Sequence, residues 1–254
     1  MTHASPNLPA AWLMRLGDNS LILGHRMSEW VSCAPTLEED IALSNLGLDL
    51  IGQTRALYTR ACELEAAGRT EDMLAYRRPE EEFRNLLLVE QPNGNFAETM
   101  ARHLIFSAYM LPLYEALKGS SDADVAGIAT RSANEMAYHL RHSAEWMIRL
   151  GDGTGESHAR AQEALDDLWA YVPELFETDD LDRAVAASGF GVDPAGLRGA
   201  FDATISEVLK RATLKRPADR HGIRGGRKGV HSEHLGHMLA TMQHLQRAYP
   251  DAVW

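Results

Sequence analysis

Two groups of side chains in this 254-residue chain have the types and spacing to hold a metal. Glu135, His139 and His142 recur at helical intervals; on a wheel of about 100° per residue they fall within about 60° of one another, with Trp146 on the same side. His231, His234 and His237 recur at every third residue. A His-x-x-His pair, or a Glu with a His four residues on, can bring its donors to one helical face. Helical bundles that hold two irons use a stricter set, in which two helices each give a Glu and two others each give a Glu-x-x-His, all projecting inward. Here that pair is absent. No glutamate stands three residues before a histidine: Glu98 is followed at that spacing by Ala101, Glu135 by Tyr138 and Glu233 by Gly236.

The wheel also weighs the two groups. The Glu135–His142 stripe lies roughly 80–140° from the apolar stripe of its helix, on a flank rather than in the interior. His231 aligns with the core stripe of the last helix but sits in its first turn, and His237 points away. Polar residues on a buried flank, facing another helix or subunit, are the plain reading; a metal held by Glu135, His139, His142, His231 or His234 is the sharper one. No GxSxG, HExxH, P-loop or GxGxxG occurs, and Gly222–Gly229 lacks the strand-turn-helix setting of a phosphate loop. Asp18 and Glu29 read as isolated capping or surface carboxylates.

The elements that must position these residues are helices throughout. Leu8–Cys33 reads as one, closed by Pro35. Thr36 with Glu39 forms a capping-box pattern opening a helix to about Ala67, with Leu43, Leu46, Leu50 and Leu57 as its core stripe and Gly47 and Gly52 where another backbone comes close. A helix from Asn95 to Lys118 contains Pro112, a kinking residue. Another follows Ser121-Asp122 and ends at Gly151, with Ala129, Ala133, Met136, Leu140 and Met147 inward. Leu165–Phe176 forms a further amphipathic helix, Asp193-Pro194 caps one through Ala212, and the last runs from about His231 to Tyr249. No stretch alternates with period two. The expectation is an all-α chain forming one domain over residues 1–254. Residues 68–94 read as an irregular insertion, with two prolines and three consecutive glutamates.

Composition bounds the function classes. A net charge of −11 argues against a nucleic-acid partner, and the longest aliphatic run, Leu86–Val89, is far short of a membrane span. The N-terminal MTHASPNLPA does not read as a signal peptide. Cys33 and Cys62 form no CxxC and read as buried small hydrophobes, which suits a reduced, cytoplasmic setting. One segment opposes the acidic balance: the basic loop at 215–230, where KRPADRHGIRGGRK holds six Lys/Arg against one Asp. Such a loop reads as solvated, or as seeking an anionic partner or ligand.

Several segments together resemble one family: LGDNSLILGHRMSEWVSCAP (16–35), LEEDIALSNLGLDLIGQTR (37–55), NLLLVEQPNGNFAETMARH (85–103), MAYHLRHSAEW (136–146) and KGVHSEHLGHMLATMQHLQR (228–247). They look like the C subunits of bacterial phenylacetyl-CoA epoxidases, multicomponent ring monooxygenases of aerobic phenylacetate breakdown. The resemblance spans about Trp12 to Trp254. It implies a ferritin-like helical bundle with additional helices and a place in an assembly. In that family the catalytic A subunit holds the di-iron centre and the substrate, and a reductase subunit with flavin and iron–sulfur groups feeds electrons from NADPH. The C subunit supports them without a metal or catalytic centre of its own. No family ligand falls on a residue of this chain. The other reading is a free-standing ferritin-like enzyme or iron protein with an atypical His-rich site.

The same resemblance suggests where this chain meets its neighbours. The flank with Tyr138, His142 and Trp146 is a candidate contact with the catalytic subunit, since aromatics concentrate at interface hot spots. Phe83, Arg84 and Asn85 are candidates for contact with an acyl-CoA: stacking on adenine, bonding a phosphate and bonding the base edge. The alternative has Phe83 packed under the loop and Arg84 paired with Glu80, Glu81 or Glu82. Arg224, Arg227 and Lys228 are the rival phosphate contact, or the docking point of an acidic partner.

Overall fold

Two helical hairpins joined by a long crossover form the body of the molecule. The computed structural model describes residues 7–219, 222–250 and 252, and every regular element within them is helical. The first hairpin is α1 (Leu8–Ser28) and α2 (Leu37–Glu65). Asn7 caps α1 by accepting the Ala10 N–H at 3.1 Å. The helix stops five residues short of Cys33, because the chain turns through Glu29–Pro35 with Ser32 at a left-handed φ of 70°. At the start of α2, Thr36 Oγ1 accepts the Glu39 N–H at 3.4 Å, but the return bond of a capping box is missing. The Glu39 carboxylate reaches instead to His142 Nε2, 2.9 Å away. α2 ends at Glu65, with Ala66 left-handed. Gly47 is where α1 comes close: a Cβ there would sit 3.4 Å from the Gly24 carbonyl oxygen.

The crossover corrects the expectation of an irregular 68–94 insertion. It folds into α3 (Glu71–Tyr76), a 3-10 turn at Glu80–Glu82 and α4 (Leu87–Glu90). Leu74, Phe83, Leu86, Leu88 and Val89 are buried in the same core as the long helices. The second hairpin is α5 (Phe96–Leu117) and α6 (Ala123–Gly151). Asn95 and Glu98 make a complete capping box at the start of α5, which continues through Pro112, and Asp122 caps α6 through the N–H groups of Asp124 and Val125. Short loops make neighbours antiparallel, and a single long crossover is the connectivity of ferritin-like bundles.

Smaller helices follow: α7 (Gly155–Leu168), α8 (Val172–Leu175), α9 (Asp180–Ala187), α10 (Arg198–Arg211), α11 (Glu233–Met242) and α12 (His244–Ala248). The sequence reading missed α9. It also ran α11 and α12 together, and carried the Asp193 cap directly into α10, whereas a 3-10 turn over Pro194–Leu197 intervenes. All four residues of the α2 core stripe are fully buried; on α6, Ala129, Ala133, Met136 and Met147 are buried and Leu140 is half-buried. Of the two cysteines read as buried, Cys33 is exposed and Cys62 is half-buried against the core. No helix among the described residues is long and apolar enough to cross a membrane.

Candidate functional site

Between the long helices lies a line of buried polar groups. His103 of α5 and His139 of α6 are both fully buried, their rings 5.0 Å apart. His139 Nε2 bonds Asp49 Oδ2 of α2 at 3.2 Å. Neither ring nitrogen of His103 has a partner, and Nδ1 of His139 and of His142 are likewise unpaired. Burial holds both His103 and His139 below the ordinary histidine range; for His103 the neighbouring His139, His142 and Arg102 add to it, and for His139 the Asp49 carboxylate only partly opposes it. Both rings are therefore neutral at pH 7. One turn along, Gln53 of α2 accepts from Tyr114 OH at 3.2 Å and donates to Glu135 Oε2 at 2.9 Å, while Glu135 Oε1 takes Arg131 Nε at 3.2 Å.

A second buried site ties the crossover to the bundle. Asp18 of α1 is wholly inaccessible. It accepts from Tyr58 OH of α2, from both terminal nitrogens of Arg78 (2.5 and 3.3 Å) and from the Arg84 N–H at 2.7 Å. The Arg78 guanidinium in turn lies 4.2 Å from the centre of the Phe83 ring. The reading of Asp18 as a cap or surface group is thus wrong: it is the anchor on which residues 78–84 are hung. Glu29 is partly exposed and bonds Arg26 and Asn93.

A third site closes the C-terminal helices over the crossover. His231 Nδ1 lies 2.9 Å from Glu90 Oε2, and its Nε2 lies 3.0 Å from the Phe83 carbonyl oxygen, with both side chains of the pair fully buried. Two acceptors at two ring nitrogens require two donors, so this histidine is an imidazolium. Burial opposes that charge, but the Glu90 carboxylate and the Phe83 carbonyl outweigh it and raise the pKa. Glu90 also accepts from Asn85 Nδ2 at 3.0 Å and from the Ser232 N–H at 2.6 Å. Beside it, Glu174 of α8 accepts the N–H groups of Leu87 (2.7 Å), Gly225 (2.9 Å) and Gly226 (2.9 Å). A Cβ at Gly226 would strike the Asn85 carbonyl, so glycine is required there for the loop to dock. The backbone cradle at Gly225-Gly226 holds a carboxylate of the protein itself.

Both the match along the chain and a named relative bear on what these sites belong to. A family model described as "Phenylacetic acid catabolic protein" matches residues 1–254. The chain is 46% identical, over 248 residues covering 98% of its own length and all of the relative's, to the C subunit of 1,2-phenylacetyl-CoA epoxidase from Escherichia coli (strain K12). The chain belongs to the phenylacetic acid catabolic protein family. Its bundle can therefore be tested against the donor set that di-iron bundles use.

In this family member the donors do not gather. Among the described residues no three of His, Cys, Asp and Glu form a group able to hold a metal ion. Glu98 is spent in the α5 cap, Glu135 on Gln53 and Arg131, Glu39 on His142 and Asp49 on His139. His139 is not on the off-core flank assigned to it, because α5 supplies His103 on that side and completes its burial. His231 is locked to Glu90, and His234 is half-buried near His25 at the α1–α11 surface, away from His139. No single constellation unites the candidates.

The other candidates separate into interior and surface groups. Phe83 and Asn85 are fully buried, so neither presents its face or edge to a ligand. Arg84 folds back on the Glu81 and Phe83 carbonyls at 2.5 and 2.7 Å rather than onto a neighbouring glutamate. Arg227 is a buried anchor: it bonds the Glu177 carbonyl at 2.6 Å and Asp182 Oδ2 at 3.2 Å, and Asp182 also takes Arg15 at 3.1 Å and the Trp12 indole at 3.2 Å. Lys228 is exposed, and Arg224 is half-exposed with Glu177 at 2.6 Å. Arg220 and His221 of the basic loop lie outside the described residues. On the α6 flank, Tyr138 is exposed, His142 is nearly buried, and Trp146 packs edge-on against Phe96 at 4.9 Å. Sequence reasoning overlooked His103, Glu90 and Glu174. Their one visible signal was a polar residue inside an apolar run, as His103 stands before LIFSAYM.

Proposed function

We propose that this chain is a non-catalytic, structural subunit of a multicomponent monooxygenase that epoxidises the aromatic ring of phenylacetyl-CoA. In this reading a separate subunit holds the di-iron centre and the acyl-CoA, and a reductase subunit delivers electrons from NADPH. The single observation that carries it is the fate of the carboxylates along the helix contacts. Asp18, Glu39, Asp49 and Glu135 each meet a cation, an imidazole or an amide of the protein. They stabilise helix packing, leaving no convergent anionic set among the described residues to compensate two buried metal charges. The name of the E. coli relative supports placing the chain in such an assembly.

The test is to co-express the chain with the subunits encoded beside it and purify the complex. The chain should co-purify stoichiometrically with a di-iron subunit, raising that subunit's yield and activity, while the isolated chain, supplied with iron, returns no stoichiometric metal. Two irons per isolated chain, lost on His139→Ala, would favour the free-standing iron protein, whose support is the unpaired nitrogens of His103, His139 and His142.

A further inference from the structure

The loop between α4 and α5 contains the one Asn-Gly pair in the sequence, Asn93-Gly94. An asparagine amide is open to attack by the backbone nitrogen of the next residue, which closes a cyclic imide and expels ammonia. Glycine in that position leaves the nitrogen unshielded, since it has no Cβ. Gly94 is exposed, with a left-handed φ of 55°, and among the described residues nothing accepts its N–H. Asn93 is half-buried and held at both ends of its amide. Its Oδ1 accepts from Arg102 Nη2 at 2.5 Å, and its Nδ2 donates to the Arg26 carbonyl at 2.8 Å and to Glu29 Oε2 at 3.0 Å.

Arg102 is the unusual partner. It is 1% exposed, yet its bonds go to neutral oxygens: the carbonyls of Gln91 and Pro92, and Asn93 Oδ1. Among the described residues no carboxylate bonds it. Burial and the nearby Arg26 pull its pKa down to about 9, against weaker opposition from Glu29 and Glu98. A buried charge without a counter-charge is costly. This one is aimed at the oxygen on which attack by Gly94 would build negative charge, and a preformed donor at a developing oxyanion is what speeds acyl transfer in enzymes.

We propose that Asn93 is a self-modification site, deamidated in the folded chain with Arg102 as the oxyanion donor. The Gly94 nitrogen gives its proton to water and bonds to Asn93 Cγ. The carbonyl electron pair moves onto Oδ1, against Arg102, and returns as the Cγ–Nδ2 bond breaks. Nδ2 takes a proton from water and leaves as ammonia. A second water opens the imide to an aspartate or isoaspartate carboxylate at position 93, so that amide plus water gives carboxylate plus ammonium. The new carboxylate meets a wholly buried cation. The Glu29 side chain, whose bond is lost, is 45% exposed and already paired with Arg26 at 2.8 Å. Water screens the new repulsion more than the new attraction, and the conversion supplies the counter-charge that Arg102 lacks. The converted loop keeps Arg102 and loses both bonds to the end of α1. The inference rests on this loop alone and stands apart from the functional reading.

The experiment incubates the full-length chain at neutral pH and follows the conversion of Asn93 by peptide mass spectrometry and the ammonia released. A synthetic peptide of residues 88–98 and the urea-unfolded chain give the rate without Arg102 in place. The folded chain should convert about tenfold faster than either reference, a fraction of what such a donor gives in an enzyme. Arg102→Gln, with its helicity checked by circular dichroism, should fall to the peptide's rate or below. A folded wild type no faster than the two references overturns the proposal without recourse to any variant. So does an unchanged rate in folded Arg102→Gln, or conversion of another asparagine ahead of Asn93.

Discussion

His231 and Glu90 form a fully buried ion pair at 2.9 Å, and the second ring nitrogen of the same histidine is held by the Phe83 carbonyl at 3.0 Å. One side chain therefore joins the start of the C-terminal helices to both ends of the 83–90 segment. The histidine is charged in the fold, its pKa raised above the ordinary 6.5. The contribution is fully present below about pH 6.5 and is lost as pH rises through the raised value, because the unfolded chain gives up this proton first.

The first expectation follows from that sign. Urea midpoints measured from pH 6 to pH 9 should fall on the alkaline side, and His231→Gln should remove that part of the slope. The variant leaves Glu90 buried without its cation, a change that costs about 3–5 kcal/mol. A midpoint whose alkaline slope is the same in the variant contradicts the charged assignment.

His103 should behave in the opposite way. Its ring is buried, neutral and unpartnered, so its contribution is present above about pH 6.5 and is lost as pH falls toward the depressed value. His103→Leu removes two unsatisfied nitrogens and should stabilise the fold by about 1–2 kcal/mol, with a shallower acid limb. Destabilisation by the same substitution would show that the imidazole has a partner in solution.

Asp18→Asn tests the anchor of the crossover. The substitution keeps the shape but leaves Arg78 buried without a counter-charge, and should cost about 3–5 kcal/mol in urea unfolding. Asp18→Asn combined with Arg78→Gln should cost less than the sum of the two singles, since the two groups share one network. Strict additivity would mean that they act independently.

The basic loop divides into a structural and a surface cation. Arg227→Ala removes the bonds to Asp182 and the Glu177 carbonyl and should destabilise the chain by about 3 kcal/mol or more. Lys228→Ala should lie within about 0.5 kcal/mol of the wild type. If Lys228 contacts an acidic partner or a CoA phosphate, the same variant should weaken assembly or CoA-ester binding by the complex while leaving stability unchanged. Equal stability losses for the two would contradict the buried position of Arg227.

The loop's docking is tested by Glu174→Gln. Its carboxylate accepts three backbone N–H groups, and an amide offers one acceptor oxygen in place of two. A cost of about 1–3 kcal/mol is expected, with faster hydrogen exchange at Gly225 and Gly226 in particular. Uniform loss of protection across the chain, with no excess at those amides, would show that the loop and the bundle open only together.

Local rules made the helical class legible in the residues themselves. The periodic stripe of α2, the helix starts at Asn95 and after Ser121-Asp122 and the Gly151 stop depend on neighbours a few positions away, and they placed the long helices to within a few residues, except at the end of α1. The missing Glu-x-x-His pairs could be read the same way. Burial of polar groups could not, because it depends on what another helix brings to the same point. A wheel drawn for α6 alone puts His139 on a flank; only α5, arriving with His103, turns that flank into interior. Asp18 looks solitary in α1 until Arg78, sixty residues on, reaches it through a crossover that appeared irregular. Phe83 and Asn85 could be read as ligand contacts or as groups packed under the loop until Glu90, bonded to the Asn85 amide, and His231, bonded to the Phe83 carbonyl, show them to be interior. Helical periodicity is a short-range property of one segment, whereas the partner of a buried charge is chosen by packing across the whole chain.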